Sequence, residues 1–159
     1  MKKILLMLVL SISAGLWAQT PEDDVAVIQD IYGKSKTQLV DDFLHLPESQ
    51  AAAFKEIYNK YEIERKELGK KKIRIIEDYA ENYETLSDEK ANELTQANLK
   101  NNQDLDKLLS KTFGKARKVI GGKNAAKFVQ LEQYLQIIIR SEIQDNIPFI
   151  DELDKTKKI

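Results

Sequence analysis

The chain has 159 residues, with 25 Lys and Arg against 26 Asp and Glu, one His, no Cys and a formal net charge of −1. That balance excludes the strongly basic footprint of a nucleic-acid binder, and the lack of Cys excludes disulfide bracing and thiolate chemistry. Beyond the N-terminus no apolar run reaches spanning length, since LQIIIRSEIQ is interrupted by Arg140 and Glu142.

Residues 1–18 have the layout of a signal peptide. Lys2 and Lys3 precede an apolar run from Ile4 to about Leu16, and small Ala18 stands before Gln19. The basic end stays cytosolic, the apolar run engages the translocon and the small residue fits the peptidase. Cleavage near Ala18–Gln19 is expected, with a periplasmic destination; a retained N-terminal anchor is the alternative. Without Lys2 and Lys3 the charge falls to about −3, and residues 19–150 form a stretch of single-domain size.

From Thr20 onward the spacing of apolar residues predicts an all-α fold of about four helices. Thr20-Pro21 reads as an N-cap with Pro at the first helical position. Val25, Ile28, Ile31 and Tyr32, then Leu39, Val40, Phe43 and Leu44, recur at three- and four-residue spacing, and Gly33 is expected to divide them. Pro47 opens a second helix with Phe54, Tyr61, Leu68 and Ile75 at heptad spacing. Arg65 and Lys72 sit at the partner positions of that seam, which predicts a shallow, partly open face instead of a regular coiled coil.

Ser87, followed by Asp88 and Glu89, marks the next start. That helix carries Leu94, Leu105, Leu108, Leu109, Phe113 and Ala116, and Gly121-Gly122 is expected to end it with a left-handed C-cap. A fourth helix with Phe128, Leu131, Leu135 and Ile138 runs to about Asn146, and residues 151–159 form a polar tail.

Two of these starts are nearly the same text. QAAAFKEIYNKYEI begins at Gln50 and NAAKFVQLEQYLQI at Asn124, sharing Ala51/Ala125, Ala52/Ala126, Phe54/Phe128 and Ile63/Ile137. Paired structural junctions and chance convergence of two amphipathic helix starts are both open readings. The elements LPESQ (Leu46 to Gln50) and IGGKN (Ile120 to Asn124) stand at these junctions. On them the chain resembles the Spy/CpxP-like family of small periplasmic proteins, marked by two LTxxQ elements at helix starts. It departs from that pattern at Pro47, Ile120 and Asn124. The resemblance extends over most of Leu39 to Arg140. It implies long helical hairpins in a cradle-like homodimer that binds unfolded or specific envelope proteins without ATP, or a sensor that docks on a membrane-bound signalling protein under stress.

Chemistry in the catalytic sense finds little footing. His45 is the single imidazole, beside Leu44 and Leu46, with no nucleophile motif near it. Transition-metal sites want several imidazole or sulfur ligands, and Asp23-Asp24 and Asp41-Asp42 lack EF-hand spacing. The expectation is a non-enzyme without cofactor or metal.

Charge distribution says more. Lys107 to Lys127 holds seven basic residues and no acid, with Lys107, Lys111, Lys115 and Lys118 on one helical face. Lys70, Lys71, Lys72 and Arg74 form a second cluster. A solvated helix face is one reading. The other is a client-binding surface in which Lys70, Lys72, Lys111, Lys115 and Lys118 attract acidic segments, while Tyr58, Tyr61 and Ile63 supply apolar contact.

Overall fold

The computed structural model describes residues 32–145 and 147–150. The signal-like segment, the Thr20-Pro21 start and the tail 151–159 lie outside them. Among the described residues three helices follow one another from Lys36 on: α1 (Lys36–Leu44), α2 (Glu48–Asn82) and α3 (Asp88–Asp145), with a 3-10 turn at Tyr83–Thr85. Among the described residues there is no strand, and no helix long and apolar enough to cross a membrane.

Local chemistry accounts for each boundary. Gly33 takes a positive φ of 64° and Ser35 caps α1, its Oγ accepting from the Gln38 N–H while the Gln38 side chain accepts from the Ser35 N–H. His45 ends α1 in the left-handed region, its N–H donating to the Asp41 carbonyl. Pro47 then starts α2, whose 35 residues extend ~52 Å at 1.5 Å each. At the far end the Ser87 Oγ accepts from the Lys90 N–H, as expected of an N-cap. The Lys90 ammonium reaches back to Asp78 at 2.7 Å and ties the hairpin of α2 and α3 together.

The break expected at Gly121-Gly122 is present but differs in kind. Gly121 alone leaves the helical region, at φ 76° and ψ 163°. Its ψ is extended, so this is no left-handed cap; the chain swings round on one residue and helix resumes at Gly122. The predicted third and fourth helices are therefore two arms, 88–120 and 122–145, of a single broken helix. Contacts give their directions. Lys72 bonds Asn98 and Asp78 bonds Lys90, so the first arm runs antiparallel to α2. Phe54 meets Phe128, Tyr61 meets Glu132 and the Tyr79 hydroxyl donates to the Pro148 carbonyl, so the second arm runs parallel to α2.

This places the repeated stretches side by side at one height. Phe54 and Phe128, equivalent in the two copies, pack edge to face with ring centroids 5.5 Å apart. Ala125 is fully buried where the first arm turns into the second, and Ile63 and Ile137 are both exposed. Around the two Phe rings the core gathers Val40 and Leu44 from α1, Tyr58 and Tyr61 from α2, and Leu108, Leu109, Ala116 and Ile120 from the first arm.

The bend depends on a backbone region that is essentially reserved for Gly. Gly121→Ala should lower stability by about 1–3 kcal/mol in urea unfolding. Gly122→Ala, where an added Cβ meets nothing within 4 Å, should leave stability unchanged or slightly raised. Equal unfolding midpoints for the two variants would remove the backbone of Gly121 as the origin of the bend.

Candidate functional site

The residues singled out from sequence fall into three places. Lys111, Lys115 and Lys118 are exposed on the outer face of the first arm of α3, and none makes an ion pair with a described residue. They follow Lys107, which lies 4.0 Å from Asp104. Ile63 is also outside, 66% exposed, and Lys70 is exposed with Glu67 at 2.8 Å.

Tyr58 and Tyr61 are not on the surface. At 2% and 1% exposure they belong to the core, stacked around Phe54 and Phe128. The heptad seam of α2 is buried at Phe54 and Tyr61 and half-buried at Leu68 and Ile75, while Ile63, Tyr134 and Ile137 are largely exposed. Lys72 also parts company with Lys70. It points inward, is half-buried and bonds the Asn98 side chain. The motif residues serve packing: Leu46 and Ile120 join the core, while Gln50 and Asn124 sit half-buried in the first turns of their helical arms.

Beneath the aromatic cluster lies a buried ionic assembly. Lys36 of α1 donates to the Glu132 Oε2 on the second arm and to the Glu62 Oε1 on α2, each at 2.7 Å. The Tyr61 hydroxyl donates to the same Glu132 oxygen at 2.8 Å. The Arg65 guanidinium closes the chain, its Nε and Nη2 donating to the two Glu62 oxygens at 2.9 and 3.2 Å. The Lys36 ammonium also stands 5.4 Å from the centre of the Tyr61 ring.

Burial alone would raise the Glu62 carboxyl, but Lys36 and then Arg65 outweigh it and hold it below the usual range. Burial, reinforced by the Glu132 and Glu62 carboxylates, pushes the Tyr61 and Tyr58 phenols well above their ordinary value. Glu132 is wholly enclosed. An enclosed pair already neutralised by its partners holds helices together; it is not placed to meet a substrate.

A cleft of about 250 Å³ opens beside this assembly, between α2 and the two arms of α3. Arg65, Lys72 and Arg140 contribute charge to its lining, Asn98, Asn101 and Gln136 contribute amides, and Leu and Ile side chains supply the walls. Burial, and then the neighbouring Arg140, lowers the Lys72 ammonium from its usual range. Among the described residues no three His, Asp or Glu side chains are arranged to hold a metal ion. His45 is exposed at the end of α1.

Sequence reasoning passed over Lys36, Glu132 and Asn101. Glu132 lies one turn from both Phe128 and Leu135, and Asn101 falls on the stripe of Leu94, Leu105 and Leu108. A charged or amide side chain on an apolar stripe was the available signal. Compared with family models, curated proteins and solved structures, the chain finds no match.

Removing one partner of an enclosed ion pair strands the other. Lys36→Met should cost about 3–5 kcal/mol of stability, and Lys36→Met combined with Glu132→Leu should recover much of that loss in denaturant melts. A double variant no better than the single would mean that Glu132 is not stranded by losing Lys36.

The tyrosines predict an alkaline transition. Their folded pKa values lie above the unfolded value near 10, so their contribution is complete below that pH and is lost as pH rises from there through the folded values. Tyrosinate absorbance of the buried pair should grow in step with loss of helical circular dichroism. Full ionisation of all tyrosines with the helix signal intact would contradict their burial.

Proposed function

We propose that the chain is an exported, ATP-independent chaperone-like protein that binds exposed segments of unfolded or partner proteins in the periplasm. It works as a homodimer in the cradle-like arrangement implied by the Spy/CpxP resemblance. The observation that carries this reading is the exposed stripe of Lys111, Lys115 and Lys118, to which no described acid is paired. Lysines in that state draw acidic client segments from a distance, and their attraction is screened by salt. Ile63, Tyr134 and Ile137, exposed on α2 and the second arm, offer the short-range apolar contact that follows. Two further features favour the reading. The N-terminal 18 residues have a signal-peptide layout, and the buried charges of Lys36, Glu62, Arg65 and Glu132 are paired with one another.

The direct measurement is light scattering of an aggregating unfolded client, without ATP, in the presence of the purified protein. Suppression near an equimolar ratio is expected. Reversing Lys111, Lys115 and Lys118 to Glu should slow capture by about tenfold or more at low salt and flatten its salt dependence. No suppression across several clients, joined with one stoichiometric partner recovered from an envelope extract, would replace this reading with that of a dedicated stress sensor.

A further inference from the structure

The cleft between α2 and the two arms of α3 has chemistry that the proposed client surface does not use. Among the described residues its lining includes Arg65, Lys66, Lys72 and Arg140 and no Asp or Glu. Arg65 is engaged by Glu62. Lys72 and Arg140 face no carboxylate of any described residue, and Lys72 has only the Asn98 carbonyl oxygen. Two cations are thus held close together at the mouth of a partly desolvated space, where like charges repel more strongly than in water.

Two amides inside the cleft are also unsatisfied. Asn101 is 3% exposed and its Oδ1 has no hydrogen-bond partner; the Gln136 Nε2 is buried and equally without one. Buried polar groups are ordinarily paired, and each left unpaired costs about 1–3 kcal/mol. Of the two unpaired atoms, the Gln136 Nε2 is a donor that can meet a carboxylate oxygen, whereas the Asn101 Oδ1 is an acceptor open to a donor such as water. The remaining walls are Leu68, Leu105, Ile139 and Ile143. A volume of about 250 Å³ corresponds to roughly eight waters at ~30 Å³ each. That is the size of one acyl chain of medium length.

We propose that this cleft binds a free anionic single-chain amphiphile, a medium-chain carboxylate. Its head lies against Lys72, Arg140 and Gln136, and its chain runs along Leu68, Leu105, Ile139 and Ile143. The carboxylate supplies the counter-charge that the lining lacks, and the chain removes apolar wall from water. Binding of this kind is mostly apolar burial directed by a few polar anchors.

Decanoate, kept below its aggregation threshold, is the probe for calorimetric titration of the protein. Decanol and decyltrimethylammonium serve as neutral and cationic controls. One saturable site is expected for decanoate, with no site for the cation and at least tenfold weaker binding of decanol. Arg140 is exposed, so Arg140→Gln should fold normally, as circular dichroism will verify, and weaken decanoate at least tenfold; Lys72→Gln should do the same. Phosphatidylglycerol vesicles should not carry the protein with them on flotation. No saturable decanoate site, equal affinity for decanol, or an Arg140→Gln variant that binds as well as the parent would overturn the proposal. So would flotation with vesicles in the absence of decanoate binding, which would assign the cations to a membrane surface.

Discussion

One lysine joins three helices. Lys36, almost fully buried at the start of α1, holds Glu62 of α2 and Glu132 of the second arm of α3 at the same distance. Without a cation there, two carboxylates, one wholly enclosed and one mostly so, would face each other, and the second arm would be pushed away from α2. With it, the arm is drawn in far enough for the Tyr61 hydroxyl to bond Glu132 and for the Tyr61 ring to lie 5.6 Å from Phe128. The parallel packing of α2 and the second arm therefore has a polar lock below an aromatic contact. The polar part sets position, because its hydrogen bonds are directional; the rings supply the burial.

The helices were legible because their signals are local. Ser35, Pro47 and Ser87 sit at the starts they chemically favour, and a three- or four-residue apolar spacing runs through every described segment. What was not legible depended on partners distant in sequence. Tyr58 and Tyr61 looked available for clients because Arg65 and Lys72, on the same stripe, suggested an open face. In the fold Arg65 is neutralised by Glu62, so that stripe closes at its upper end and opens only at Lys72, where the cleft begins. The expectation of a partly open face held for half of the seam. Gly121 was recognisable as a breaking point, but whether it capped or reversed the chain turned on ψ, which residue type alone does not specify.

The duplicated stretch gains a physical meaning from that reversal. Equivalent residues take equivalent surroundings: Phe54 and Phe128 bury against each other, Ile57 and Leu131 are half-buried, and Ile63 and Ile137 face outward. A shared pattern of small, aromatic and aliphatic residues suits two helices that start at one level and run the same way. Ala125 permits the close approach and Phe fills the space behind it. This correspondence is a property of packing and holds whichever function the surface serves.

The single-residue reversal has an electrical consequence as well. Two helical N-termini, at Glu48 and Gly122, share one end of the molecule with two C-termini, at Leu44 and Ile120, so the partial charges of the backbone largely offset one another there. Each N-terminus carries about half a positive elementary charge from its aligned peptides. Lys115, Arg117, Lys118, Lys123 and Lys127 cluster toward that same end, whereas Glu77, Asp78, Glu81, Glu84, Asp88, Glu89 and Glu93 gather at the opposite hairpin. The side chains therefore set the polarity, and the described residues form a body with a positive pole and a negative pole. Such a body turns in the field of a charged neighbour before touching it, and meets that neighbour end-on.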